Sequence, residues 1–240
     1  MKMPKLRLFV ISALVLACAV SLAAVLASLP GTAAAEEDSG CVHYSNPDAD
    51  MKLALTFDDG PHPEYTDKIL AILKKYGVRA TFFVIGENVE RYPDVVGRVI
   101  ADGHELGNHT FSHANLSKLS YRKECEEIMS AENAVFEENE YRTRLLRPPG
   151  GLYNDSIFRI ADRLDYTVIL WTIDTRDWAH NKVENITKEV LGKAKSGDII
   201  LFHDIDTFTA TLDDGRTATC TRHGSPNRIF LRSGLCRCGG

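Results

Sequence analysis

From residue 53 to residue 202 the chain alternates two kinds of apolar pattern, and this limits its fold more than any other feature. Unbroken apolar runs rich in strand formers occur at LALTF (53–57), ATFFVI (80–85), TVILWTI (167–173) and DIILF (198–202). A shorter strand-like stretch falls at 144–147. Between the runs, apolar residues recur at helical spacing. Ile69, Leu70, Ile72, Leu73 and Tyr76 mark one helix, which Gly77 stops. Pro93 opens a second helix that Gly103 ends. A long charged helix is expected from about 117 to 140, and two more over 156–164 and 183–195. Strands apolar throughout are buried on both faces, so they pair in parallel beneath covering helices. The chain is therefore α/β. A β/α barrel and an open α/β sheet both fit, and both put chemistry where strands end.

Composition matters here because it divides the chain into three pieces. Residues 1–35 hold Lys2, Lys5 and Arg7 and no acid, ahead of an apolar run from Leu8 to Leu29. Pro30-Gly31 and Ala33-Ala34-Ala35 follow, in the layout of a secretory signal peptide. The run is also long enough to be an uncleaved membrane anchor. Either reading exports the rest of the chain to the exterior or the cell surface, with the membrane touched only through this segment. Residues 36–204 carry 20 basic and 30 acidic side chains, a net −10. That gives no electrostatic reason to expect nucleic-acid binding. They form one domain without repeat or linker, expected to be a monomer. Residues 205–240 carry five Arg, three Asp and three Cys. Cys41 and Cys125, in the body, are read as unpaired.

Polar residues gather just after the expected strands. Thr56-Phe57-Asp58-Asp59-Gly60-Pro61 sets two adjacent carboxylates there, which repel unless a cation neutralises one. It is also good turn chemistry. His109-Thr110-Phe111-Ser112-His113 places two imidazoles four apart, able to meet one metal ion if the stretch is helical, although that spacing also arises by chance. With a nearby Asp, two imidazoles and a carboxylate leave positions open on a metal for water and substrate. Arg147-Pro148-Pro149-Gly150-Gly151 offers a guanidinium for a carboxylate and glycines for close approach to a ligand. Asp174-Thr175-Arg176-Asp177-Trp178 and Leu201-Phe202-His203-Asp204 complete the set.

In order and approximate spacing, TFDDGP, HTFSH, RPPGG, DTRDW and LFH resemble the five motifs of the polysaccharide deacetylases, the NodB-homology enzymes of carbohydrate esterase family 4. The resemblance covers about 51–204. It implies a distorted (β/α) barrel and a metal-dependent hydrolase of acetyl groups on sugars. Carried onto this sequence, it makes Asp59, His109 and His113 metal ligands, Asp58 the general base and His203 the general acid. Arg147 would orient Asp58, and Asp177 would support His203 or Arg147. Trp178 and Leu201 would line a small apolar pocket for the acetyl methyl, and the Gly150 N–H would face the oxyanion. The family often has an aromatic residue where this chain has Gly150, which bears on the substrate groove. Zinc is the default metal, with cobalt, nickel or manganese compatible with the same donors. The implied substrate is an acetylated polysaccharide, peptidoglycan first, then chitin oligomers and acetyl-xylan. A catalytically inactive wall-binding protein of the same fold is one rival, and a hydrolase using the same metal site on a non-sugar amide is another.

After Asp204 the pattern stops. A helix and closing strand are expected there, but the chain gives IDTFTATLDDGRTATCTRHGSPNRIFLRSGLCRCGG. A Cys/His metal site and a basic arm are two readings. A shifted reading frame after about Thr211, leaving the barrel incomplete at its C-terminus, is the favoured one.

Overall fold

The computed structural model describes residues 42–179 and 182–205. The leader, Cys41 and the segment from 206 onward lie outside the described residues, and so do the readings made of them. Cys125 is a free thiol.

Eight strands form one parallel sheet. They are β1 (Val42–His43), β2 (Ala54–Asp58), β3 (Thr81–Val84), β4 (Glu105–Asn108), β5 (Leu145–Leu146), β6 (Thr167–Ile169), β7 (Ile173–Asp174) and β8 (Ile199–His203). Their order is β1-β6-β5-β4-β3-β2-β8-β7. The connecting helices are α1 (Tyr65–Tyr76), α2 (Gly86–Arg91), α3 (Pro93–Ala101), α4 (Tyr121–Asn139), α5 (Asp155–Arg163) and α6 (Val183–Lys193).

The sheet order requires curvature. β6 and β7 stand near opposite edges, yet only residues 170–172 join them. Leu170 N–H donates to His43 O on β1 (2.8 Å), and Thr172 N–H donates to Ile199 O on β8 (2.9 Å). Ser45 bridges Asp198 in antiparallel fashion. These contacts draw the two edges together, as the distorted barrel requires. The expected single strand TVILWTI is thus a correction. It is two strands with a crossing segment, because one continuous strand could not pair with both β1 and β8.

Alternate residues of each strand face opposite sides. Phe57, Phe82, Val84, Leu106, Ile173, Ile200 and Phe202 pack with Ile69, Leu70 and Leu73 of α1, Val96 and Val99 of α3, and Ile186 and Val190 of α6. Phe57 stacks on Phe82 (5.1 Å between centroids) and on Phe202 (5.6 Å). The inner face carries a smaller cluster of Phe83, Leu145, Ile169 and Ile199, with Trp171 against it. Each such large side chain contributes about 1.5–3 kcal/mol by leaving water. Gly77 closes α1 in the left-handed conformation (φ 63°), with its N–H on the carbonyl of Lys74.

Four elements depart from expectation, one of them β1, whose two residues form no apolar run and are extended by pairing with β6. β4 was not foreseen, because ELGN lacks an apolar run; β3 and β5 pair with it on either side and impose the extended form. α2 follows β3 directly in a stretch the periodicity left blank. α4 starts at Tyr121, after a separate 3-10 turn at Leu116–Lys118.

Candidate active site

The polar motifs meet at the C-terminal ends of β2, β4, β5 and β8. Asp58 and His203 are partners in the β2–β8 register, and Thr56 pairs with Leu201. The strand period therefore puts Thr56, Asp58, Leu201 and His203 on the inner face. Arg147, at the end of β5, fills the interior behind them and is completely buried. Its Nη1 donates to Asp58 Oδ1 (2.7 Å) and Thr56 Oγ1 (2.8 Å). Nε donates to Ile169 O (3.2 Å), and Nη2 to Leu170 O (3.0 Å). The guanidinium lies over Phe83, 4.0 Å from the ring centroid. A planar group with several fixed donors suits this position, as lysine would not.

Asp59, His109 and His113 converge so that one donor atom of each lies within 4.8 Å of the others. His109 Nε2 is 3.4 Å and His113 Nε2 3.2 Å from Asp59 Oδ1. His109 Nδ1–H donates to Arg147 O (2.7 Å), so its Nε2 faces the site. The HTFSH stretch is a correction to the helical expectation. It is an irregular loop with Thr110 at φ 69° and His113 at φ 58°. Left-handed turns, rather than helical spacing, bring the imidazoles together. Asp59 is left-handed too (φ 77°), as is Arg176 in the fourth motif (φ 52°). Non-glycine residues in this region cost about 1–3 kcal/mol each and cluster at functional sites.

The donors fit a divalent cation. Asp59 Oδ1 is buried and accepts no well-aligned hydrogen bond. Its separations from the imidazole nitrogens match the roughly 3.3 Å between ligands of a tetrahedral ion with bonds near 2.0–2.1 Å. Burial alone would raise the Asp59 carboxyl, but hydrogen bonding and charge from His109, with His113 and His203, hold it below the usual carboxylate range. His109 is drawn the other way. Burial disfavours its charge, yet Asp58 and Asp59 push its pKa up. In both cases a proton balances negative charge that a bound cation would balance instead.

His203 has its own carboxylate. Its Nδ1–H donates to Asp177 Oδ1 (2.7 Å), and its backbone N–H to Asp177 Oδ2 (2.8 Å). Asp177 is buried in the turn after β7. Burial disfavours the imidazolium, but the Asp177 hydrogen bond and charge, with Asp58 and Asp59, push the His203 pKa up to about 9. Asp177 thus meets His203, while Arg147 meets Asp58.

The substrate-side residues differ in exposure. Trp178 is exposed, Leu201 is buried within β8, and Gly150 is exposed at φ 63°. A cavity of about 290 Å³ lies beside the HTFSH loop, lined by Phe111, Leu119, Lys123 and Glu127.

Two residues escaped sequence reasoning in their roles. Thr56 holds Arg147. Asp204 is fully buried and accepts from Thr66 Oγ1 (2.6 Å), while its N–H donates to Asp58 O (3.1 Å). Burial, then the charges of Asp59 and Asp58, push its pKa up to about 7. Gly60 makes room for it, since a Cβ there would lie 2.2 Å from Asp204 Oδ2. Asp204 stood in the last motif cluster, but Thr66 lies 138 positions away, beyond any local signal.

Known proteins are similar to this chain in sequence and in fold. A peptidoglycan-N-acetylglucosamine deacetylase of Bacillus cereus is 43% identical over 170 residues, covering 70% of this chain and 79% of that protein. A second from Bacillus cereus is 39% identical, covering 67% of this chain and 58% of its own length. One from Listeria monocytogenes is 38% identical, covering 66% of this chain and 34% of its own length. The chain thus spans little more than half, or a third, of these longer relatives. The crystal structure of a peptidoglycan N-acetylglucosamine deacetylase in complex with 4-naphthalen-1-yl-N-oxidanyl-benzamide superposes with a TM-score of 0.68 at 36% identity, covering 70% of this chain and 79% of that one. A CE4 family pseudoenzyme from Bacillus anthracis gives 0.68 at 30% identity, covering 73% and 62%. Residues 45–169 match the polysaccharide deacetylase family, which is more than half of the chain, and to that family the chain belongs.

Proposed function

We propose that the chain hydrolyses N-acetyl groups on a polysaccharide, with the N-acetyl sugars of peptidoglycan as its substrate. The observation that carries this reading is a division of charge. An Arg147-held carboxylate and an Asp177-backed imidazolium come from register partners Asp58 and His203, beside one candidate cation site. Amide hydrolysis needs a base for water, an acid for the amine and a stabilised oxyanion. The peptidoglycan preference draws on the names of the relatives, and export through the leader would bring the site to that substrate.

Asp59, His109 and His113 would hold a divalent cation, zinc first among zinc, cobalt, nickel and manganese. When bound it supplies Lewis acidity at the acetyl carbonyl and a more acidic water, toward a pKa of roughly 7 in the best zinc cases. Asp58 takes the proton from the attacking water. Its other oxygen stays on Arg147, so the carboxylate cannot rotate away. The Gly150 N–H stabilises charge on the acetyl oxygen. His203 releases a proton from Nε2 to the departing amine, while Asp177 keeps Nδ1 protonated and the ring oriented.

The test is acetate release from an N-acetylglucosamine oligomer and from peptidoglycan, lost with chelator and regained with metal. Asp58→Asn should abolish turnover and still bind zinc, whereas His109→Ala should lose both. Full activity in Asp58→Asn would remove Asp58 from the base role. The structural likeness to a pseudoenzyme favours one other reading, an inactive glycan-binding protein. Glycan binding without acetate release, at any metal loading, would establish that reading instead.

A further inference from the structure

His113 is held differently from the other members of the triad. Asp59 directly follows β2, and His109 is buried with its ring fixed to Arg147 O. The His113 side chain is 46% exposed and sits in an irregular, left-handed stretch. Its place depends on the three residues before it, and α4 grips two of them through one side chain. Glu127 Oε2 accepts from the N–H groups of Phe111 (3.1 Å) and Ser112 (2.9 Å). Glu127 Oε1 accepts from Ser112 Oγ–H (2.8 Å). The carbonyls of Thr110 and Phe111 are satisfied separately, by the N–H groups of Gly86 and Glu87. On the other side of the loop, Asn108 Oδ1 accepts from Thr110 N–H (2.9 Å), and its Nδ2 donates to Ile128 O (2.9 Å). Neighbouring residues of α4 therefore fix both halves of the segment between the two histidines.

We propose that Glu127 is a positioning residue for His113 and thereby sets the affinity of the cation site. This rests on the reading of Asp59, His109 and His113 as ligands. A carboxylate accepting two backbone N–H groups and a hydroxyl ties Phe111 and Ser112 to α4. Without it, Phe111 and Ser112 lose their acceptor, and the loop gains conformations in which His113 no longer faces Asp59. Partners outside the ligand set usually change metal affinity about 10–100-fold when removed.

The experiment is zinc affinity of the full chain, measured by competition with a chromogenic chelator, alongside the absorption spectrum of the cobalt-loaded protein. Glu127→Ala should weaken zinc binding about tenfold or more and alter the cobalt bands. Glu127→Gln keeps an acceptor oxygen for the backbone donors and should stay within about threefold of the unaltered chain. Ser112→Ala removes one of the three bonds without touching α4 and should weaken binding about threefold, which covers the case of a misfolded Glu127→Ala. Zinc binding in Glu127→Ala equal to the unaltered chain, or equal losses in the Ala and Gln variants, overturns the proposal. So does unchanged affinity in Ser112→Ala. Failure of the unaltered chain to bind zinc refutes the ligand reading itself and is thereby distinguished.

Discussion

Asp177→Asn tests the acid side of the site most sharply. His203 is raised from 6.5 to about 9, with Asp177 its largest favourable partner. That difference corresponds to roughly 3 kcal/mol of preference for the imidazolium. Asparagine keeps the size of the side chain and removes its charge, so the His203 pKa should fall back toward 6.5. At pH 8 the protonated fraction would drop from about 90% to about 3%, a loss near thirtyfold. At pH 6 both proteins hold His203 largely protonated, so activity there should change far less. The assay is kcat/KM for acetate release against pH. The alkaline limb should move from about pH 9 toward 6.5, by roughly 2.5 pH units. A limb that stays in place, or a uniform loss at every pH, refutes the assignment of His203 as the acid. Stability has the same sign. A folded pKa above the unfolded one stabilises fully below pH 6.5 and loses that contribution as pH rises through about 9. Unfolding of the unaltered chain followed by denaturant should show that decline, and Asp177→Asn should not.

Two further predictions concern the support of the site. Arg147→Met leaves the buried Asp58 carboxylate without its cation, and breaking such a pair costs about 3–5 kcal/mol; an unchanged denaturation midpoint would contradict this account of Arg147. Gly60→Ala drives a methyl into Asp204, at 2.2 Å from one carboxylate oxygen and 2.4 Å from the other. Overpacking of this kind costs about 1–3 kcal/mol, and displacement of the Asp58-Asp59 turn should lower kcat as well; a Gly60→Ala protein with native melting and native kcat would show that the contact is slack.

The apolar runs that announced β2, β3 and β8 are strands whose burial is decided by their own side chains. β4 and β1 are strands because neighbours pair with them, and Glu105 or Val42 carries no such message alone. TVILWTI was legible as apolar but not as divided. The division at 170–172 is set by the distance between two sheet edges, a property of the curved sheet as a whole. In the site, residue types and order pointed to Asp58, Asp59, His109, His113, Arg147, Asp177 and His203. The means of bringing them together was not legible. The two histidines meet through left-handed backbone at Thr110 and His113, whereas their four-residue spacing points to a helix. Thr56, Thr66 and Glu127 were silent because each acts on a residue far along the chain or on backbone atoms.

The register that sets Asp58 beside His203 also carries a timetable. Thr56 Oγ1 reaches Ile200 O across 144 positions, so the first motif finds its partner only when the final described strand docks. Synthesis of that stretch takes roughly 7–30 s at ordinary rates of 5–20 residues per second. Until then that edge of β2 is unpaired and Asp58 has no His203 opposite it. Pairing at such separation is among the slower steps a chain can take. Asp58 and His203 thus become neighbours only through a pairing that spans most of the described chain.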